Sequence, residues 1–229
     1  MIITIEGTDG SGKATQSKLL YETLTNLGNK CKLISFPNYS SASSTLVKMY
    51  LNGEFGENAN CLDAYQASTL FAVDRLATMK NINIEDYDYI ILDRYTPSNM
   101  IHQACKTVNG AEREDCLNWL NDFEYGKLKL PKPDAVLFLD LPIEISLRLA
   151  HNRKDLKNGQ SQDIHEKDKD YMCHAYNQAK YVAKKYDWTV IDCCKDGNLL
   201  SVEQIHNKIL KALNIDFTFH ANMWYIKCW

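Results

Sequence analysis

Long apolar runs are missing from this 229-residue chain, and so is a surplus of charge of either sign. No stretch approaches the ~18 consecutive apolar residues of a membrane span. The opening Met1-Ile-Ile-Thr-Ile-Glu6 is shorter than the apolar core of a secretory signal, so the expectation is a soluble, cytoplasmic protein. Lys and Arg number 26 against 29 Asp and Glu, a net charge of -3. That balance gives no global reason to expect nucleic acid or an anionic membrane, and no basic stripe with interleaved aromatics stands out. Proline (5) and glycine (10) are sparse, and there is no linker-like stretch or internal repeat, which argues for one domain. The 8 cysteines are scattered, without Cys-x-x-Cys or paired metal-ligand spacing. They read as free thiols of a reducing compartment rather than a disulfide framework or a zinc site.

What is present is ordinary in amount, 45% hydrophobic and 24% charged, but strongly ordered along the chain. Short, nearly continuous apolar runs at Ile2–Ile5, Cys31–Phe36, Tyr89–Leu92, Ala135–Leu139 and Thr189–Ile191 suit strands covered on both faces. Between them Lys13–Leu27, Asp63–Met79, Tyr171–Tyr186 and Val202–Leu213 carry helical spacing, with Gly28 placed to end the first. Strand and helix alternate throughout, which predicts an α/β fold with right-handed crossovers. His151–Asp170 is dense in charge and poor in apolar residues, and reads as a flap. Beyond the last helix, Phe217, Phe219, Trp224, Tyr225 and Trp229 make residues 214–229 an aromatic extension.

The strongest local signal is Gly7-Thr8-Asp9-Gly10-Ser11-Gly12-Lys13, which follows the first strand and opens the first helix. Glycines let backbone N–H groups curl around phosphate oxygens, the helix start offers unpaired donors, and Lys13 adds a mobile cation. Ala14 stands where Ser or Thr usually completes this motif and helps hold Mg²⁺, and Thr15 follows with a hydroxyl. The metal must then lean on carboxylates or water, with Asp9, Asp93 and Glu166 as candidates.

Other motifs extend the pattern. Phe36-Pro37-Asn38-Tyr39 follows the second strand, and Phe71 and Arg75 lie one helical turn apart. Asp93-Arg94-Tyr95 with Ser98-Asn99 ends the third strand at its carboxyl edge, where open α/β sheets bind ligands. Asp163-x-x-Glu166 closes the flap. In this order and spacing, residues 1–213 resemble the thymidylate kinases, P-loop enzymes that phosphorylate dTMP to dTDP with ATP and Mg²⁺.

The resemblance implies a P-loop NTPase fold: a five-stranded parallel sheet with helices on both faces, a LID at about 148–170, and a homodimer. It implies a donor site at Gly7 to Thr15, with Arg148 against the adenine. Lys13, Arg94, Arg153 and Asp9 take the catalytic roles, Arg94 on the monophosphate and the transferring group. Phe71, Arg75, Ser98 and Asn99 select the base, while Asp9, Tyr39, Phe36 and Pro37 shape the sugar and phosphate end. His102 stands where a bulkier aromatic often crowds the sugar 2′ position, and Gln103 is a further base or sugar contact. Asn38 replaces a common arginine, whose phosphate contact Arg75 could supply. Two other readings remain open from the residues: a kinase for another deoxynucleotide, and a nucleotide-binding regulator without catalysis.

Overall fold

Strand β1 (Ile2–Glu6) is buried at every position because it is the middle of a parallel sheet. The other strands are β2 (Cys31–Ser35), β3 (Tyr89–Asp93), β4 (Ala135–Asp140) and β5 (Thr189–Asp192), and the order across the sheet is β2-β3-β1-β4-β5. β1 pairs Ile3 with Ile91 of β3 and with Ala135 of β4. This computed structural model describes residues 1–107, 109–156 and 164–215; the side chains of 150–156, 166 and 167 lie outside the description.

Coverage on both faces holds for the central strands and fails at the sheet edges. Val190 of β5 is 46% exposed, and β2 buries only Ile34 fully. Apolar composition alone does not separate an edge strand from a central one.

The helices are α1 (Lys13–Asn26), α2 (Thr45–Leu51), α3 (Ala64–Met79), α4 (Thr96–His102), α5 (Gly110–Leu120), α6 (Ile143–Leu156), α7 (Ile164–Lys167), α8 (Lys169–Lys185) and α9 (Val202–Ala212). On one face Ile3 and Ile5 pack with Leu20 and Leu24 of α1 and Ile205 and Ile209 of α9. On the other, Phe138 packs with Ile101, Leu117 and the Ala175, Ala179, Val182 stripe of α8. Truncating Leu20, fully buried in the first layer, is expected to cost about 2–5 kcal/mol. Asp63 caps α3: its Oδ1 accepts from the backbone N–H groups of Tyr65 and Gln66, while the Gln66 side chain accepts from Asp63 N–H.

Several elements were not foreseen, the helices α2, α4 and α5 among them. α5 runs into a π-helical turn at Asn121–Lys127. A hairpin pairs β6 (Cys194–Lys195) with β7 (Asn198–Leu199) through Asp196 and Gly197 at φ 52° and 76°, the left-handed pair that an Asp-Gly dipeptide favours. The charged stretch expected as an irregular flap is helical to Leu156 and again at α7, where Ile164 is 3% exposed against Val47, Tyr50 and Leu51. One apolar residue anchors that end to the body. Within the expected LID, residues 157–163 lie outside the described residues, as do 216–229 of the aromatic extension.

Candidate active site

The parallel sheet brings the carboxyl ends of β1 and β3 side by side, with Ile5 registered against Asp93. The chain leaving β1 becomes the glycine loop, and the chain leaving β3 becomes Arg94. Gly10 has φ 87°, and a Cβ there would lie 2.6 Å from the Ser146 carbonyl oxygen of α6. Only glycine satisfies both the backbone conformation and that approach. Gly12, at φ 88°, caps α1 and leaves the first N–H groups of the helix without helical partners. Ser146 steadies the loop, its Oγ donating to the Asp9 carbonyl and lying 3.3 Å from Thr8 Oγ1. Ser146 carries no motif of its own.

Lys13 is 8% exposed and folds over the loop, donating to the Thr8 carbonyl at 2.8 Å with Asp9 at 3.8 Å. Burial, aided by the neighbouring Arg94 charge, lowers its pKa to about 8 against the pull of Asp9, Asp93 and Glu6. Arg94 adopts φ 66°, which a non-glycine residue keeps only when its surroundings hold it there. Its Nη2 donates to Asp9 Oδ1 and its Nη1 to His102 Nε2 at 2.9 Å. Burial alone would raise the Asp9 carboxyl, but Arg94 and then Lys13 hold it well below the usual carboxylate range.

A guanidinium only donates, so His102 Nε2 accepts and the ring proton sits on Nδ1. Burial, with Arg94 beside it, keeps the His102 imidazole neutral by pushing its pKa well below the ordinary value. The ring expected beside the sugar is therefore also a support for Arg94.

Glu6, at the end of β1, is fully buried and accepts from Tyr95 N–H at 2.9 Å and Ser98 Oγ at 2.7 Å. It thereby fixes the first turn of α4 immediately after Arg94. Burial raises its pKa, opposed by Arg94, Ser98, Tyr95 N–H and Lys13.

Beyond Arg94 a cavity of about 220 Å³ opens between the β3 end, α3 and α4. Asp9 and Arg94 line its phosphate-loop end, and Phe36, Pro37 and Tyr39 one wall. Phe71, Arg75, Ser98, His102 and Gln103 line the rest. Gln103 is 1% exposed and its Oε1 has no hydrogen-bond partner among the described residues, so the cavity holds an acceptor for an incoming N–H. Ala14 and Thr15 are exposed at the start of α1, and Arg148 is exposed on α6. The side chains of Arg153 and Glu166 lie outside the described residues.

Asn99 is set behind the cavity wall rather than in it. Its Nδ2 donates to the Ser68 carbonyl at 3.1 Å and to Glu124 Oε1 at 2.8 Å, so any contact it makes with a base falls to its Oδ1. Arg75 is not free to replace a phosphate contact at Asn38. Arg75 is forked onto Glu124, while Asn38 N–H donates to Asp74 at 2.8 Å.

Further residues of the site went unforeseen. Glu124 comes from the π-helical turn. Asp74 accepts from Asn38 N–H and Ser43 Oγ, and so holds the Phe36–Tyr39 wall. His165 of α7 reaches the cavity from the segment expected as a flap, its Nε2 2.9 Å from Tyr50 Oη. Its pKa falls to about 3, through burial and then the charge of Lys106. An Ile-His pair in a charged run was the one available signal for it.

Comparison with known proteins gives one consistent family. The family model described as thymidylate kinase matches residues 5–209. A thymidylate kinase of Mycobacterium tuberculosis is 32% identical over 171 residues, covering 73% of this chain and 78% of that protein. One of Plasmodium falciparum is 30% identical over 213 residues, covering 92% and 88%. The solved structure of a Candida albicans thymidylate kinase superposes with a TM-score of 0.68 at 24% identity, over 93% of this chain and 90% of that one, a likeness of fold.

Proposed function

The chain belongs to the thymidylate kinase family, and from that premise we propose which of its groups carry the reaction. It is a phosphotransferase that moves a phosphoryl group from ATP to dTMP, giving ADP and dTDP. The observation that carries the assignment of roles is the Arg94–Asp9 contact, because it ties the acceptor cavity directly to the phosphate loop.

Phosphoryl transfer asks for alignment and charge neutralisation more than for covalent chemistry. The N–H groups of the Gly7–Lys13 loop cradle the ATP phosphates, and the Lys13 ammonium leaves the Thr8 carbonyl for the transferring group. The exposed Thr15 hydroxyl is within the first helical turn and serves the same phosphates. Arg148 on α6 takes the adenine, and Arg153 supplies a second cation. Arg94, already oriented by Asp9 and His102, grips the acceptor phosphate and the group in flight. Asp9 and Tyr39 orient the sugar end, Phe71 offers a face for the base, and Gln103 Oε1 accepts from its N–H. Arg75 donates to a ring carbonyl, and Ser98, locked on Glu6, completes that wall.

The donor set suits Mg²⁺ arriving with ATP. Asp93 ends β3 and Asp9 lies in the loop that follows the neighbouring β1, and among the described residues no three His, Cys, Asp or Glu side chains could enclose an ion. Mg²⁺ is commonly held by one or two carboxylates with phosphates and water, so Ala14 removes one ligand from a shell the phosphates mostly fill. Bound there, it neutralises charge between the phosphates; Glu166 is the third candidate ligand.

We also propose a homodimer and a cytoplasmic setting. Tyr65 and Val73, 40% and 43% exposed on one stripe of α3, support the first. Free thiols at Cys31, Cys61, Cys105, Cys116, Cys173, Cys193 and Cys194 support the second. Among the described residues no helix is long and apolar enough to cross a membrane.

ADP release from ATP and Mg²⁺, measured across dTMP, dUMP, dCMP, UMP and AMP, tests the function. The highest kcat/KM is expected with dTMP. Preference for another acceptor, or ATP binding with no acceptor phosphorylated, would overturn it.

A further inference from the structure

The base end of the cavity is organised by a residue that no motif announces. α5 passes into the π-helical turn Asn121–Lys127, a rare geometry that shifts the side-chain register and often marks functional sites. The shift turns Glu124 inward to 1% exposure. There its Oε2 accepts from Arg75 Nε at 2.7 Å and its Oε1 from Arg75 Nη2 at 2.8 Å. Asn99 Nδ2 adds a third donor at 2.8 Å and is itself held by the Ser68 carbonyl. Arg75 is 2% exposed, and its Nη1 lies 3.4 Å from the Tyr95 carbonyl.

Guanidinium geometry fixes what is left over. A planar fork has five N–H groups. The Nε–Nη2 edge is occupied by Glu124, and the Tyr95 carbonyl lies 3.4 Å from Nη1. One N–H on each of Nη1 and Nη2 is left without a partner among the described residues, and Arg75 lines the cavity. That pair donates only. Glu124 also cancels the Arg75 charge in place, so the edge offered to the cavity suits a neutral carbonyl rather than an anion. Burial raises the Glu124 pKa, opposed by the Arg75 charge and by the hydrogen bonds from Arg75 and Asn99.

We propose that Glu124 is the positioning residue for pyrimidine selectivity, holding Arg75 so that its remaining N–H groups donate to a carbonyl at position 4 of the base and reject an amino group there. This rests on the reading of dTMP as acceptor with Arg75 toward its base. A 4-amino group, as in cytosine, would meet the fork donor to donor and leave buried N–H groups unpaired, a mismatch of a kind that discriminates strongly. The 5-methyl group is not read by this edge, so dTMP and dUMP are not separated by it.

The test is steady-state phosphorylation of dTMP, dUMP and dCMP by wild type, Glu124→Gln, Glu124→Asp and Arg75→Met, with thermal unfolding of each as a fold control. Glu124→Gln is expected to raise KM for dTMP by at least about tenfold, with kcat within about threefold. Its dTMP-to-dCMP preference should narrow by at least about tenfold while dTMP to dUMP stays unchanged. Should Glu124→Gln fail to fold, Glu124→Asp, which keeps the charge but falls one methylene short, is expected to show the same changes at smaller size. An unchanged dTMP-to-dCMP preference in a folded Glu124 variant, with Arg75→Met losing it, would overturn the role of Glu124 alone. A preference that survives Arg75→Met would instead overturn the assignment of Arg75 to the base. Equal losses of kcat for all three acceptors would show Glu124 to be structural only.

Discussion

Arg75 and Arg94 line the same cavity but are held in opposite ways. Arg75 is 2% exposed, forked onto one carboxylate, and carries no surplus charge. Arg94 is 18% exposed, sits in a strained backbone conformation, and meets Asp9 and the neutral His102 through one nitrogen each. The first arrangement fixes direction and cancels charge, as recognition of an uncharged base requires. The second keeps net positive charge beside Lys13, as binding of a phosphate requires. One side-chain type thus serves selectivity at one end of the cleft and charge stabilisation at the other, and its partners decide which.

The largest separation between the two ends is expected from Lys13→Ala. Loss of that cation should lower kcat on the order of 10³-fold for every acceptor, leaving their ranking unchanged, as initial rates would show. Gly10→Ala attacks the same end through the backbone. A Cβ at φ 87°, 2.6 Å from the Ser146 carbonyl, should cost about 1–3 kcal/mol in thermal unfolding and weaken ATP binding without altering base preference. The phosphate end should also respond to alkali where the base end does not. With its pKa lowered to about 8, free-enzyme Lys13 loses its proton as pH rises through that value. The kcat/KM for ATP should therefore fall above pH about 8, approaching tenfold per unit, while acceptor ranking holds. A flat profile to about pH 9.5 would contradict the charged-lysine role. The smallest effect lies on the base-end scaffold: Asp63→Ala removes the cap of α3 and should cost about 1 kcal/mol of stability with little change in rates.

The phosphate end was largely legible in the sequence because its requirements are local. Gly10 and Gly12 declare the backbone they need, and Lys13 follows at a fixed distance. Arg94 was legible from its place at a strand end. The supports of the base end were not. Glu124 faces inward only because a π-helical turn shifts its register, and Asp74 reads as one more charge on an amphipathic helix. His165 lies in a charged run and is brought to the cavity by the packing of Ile164. The position of Asn99 was visible, but the partners that occupy its Nδ2 were not. The edge exposure of β5 likewise depends on sheet order, which apolar composition does not encode.

The division of the cleft is tested most directly by one panel of initial rates, dTMP, dUMP and dCMP with saturating ATP, for Arg75→Met beside Arg94→Ala. Arg75→Met should flatten the preference for dTMP over dCMP and keep most of the turnover, whereas Arg94→Ala should keep the ranking and lose the turnover. Equal proportional losses for all three acceptors in both variants would contradict the division.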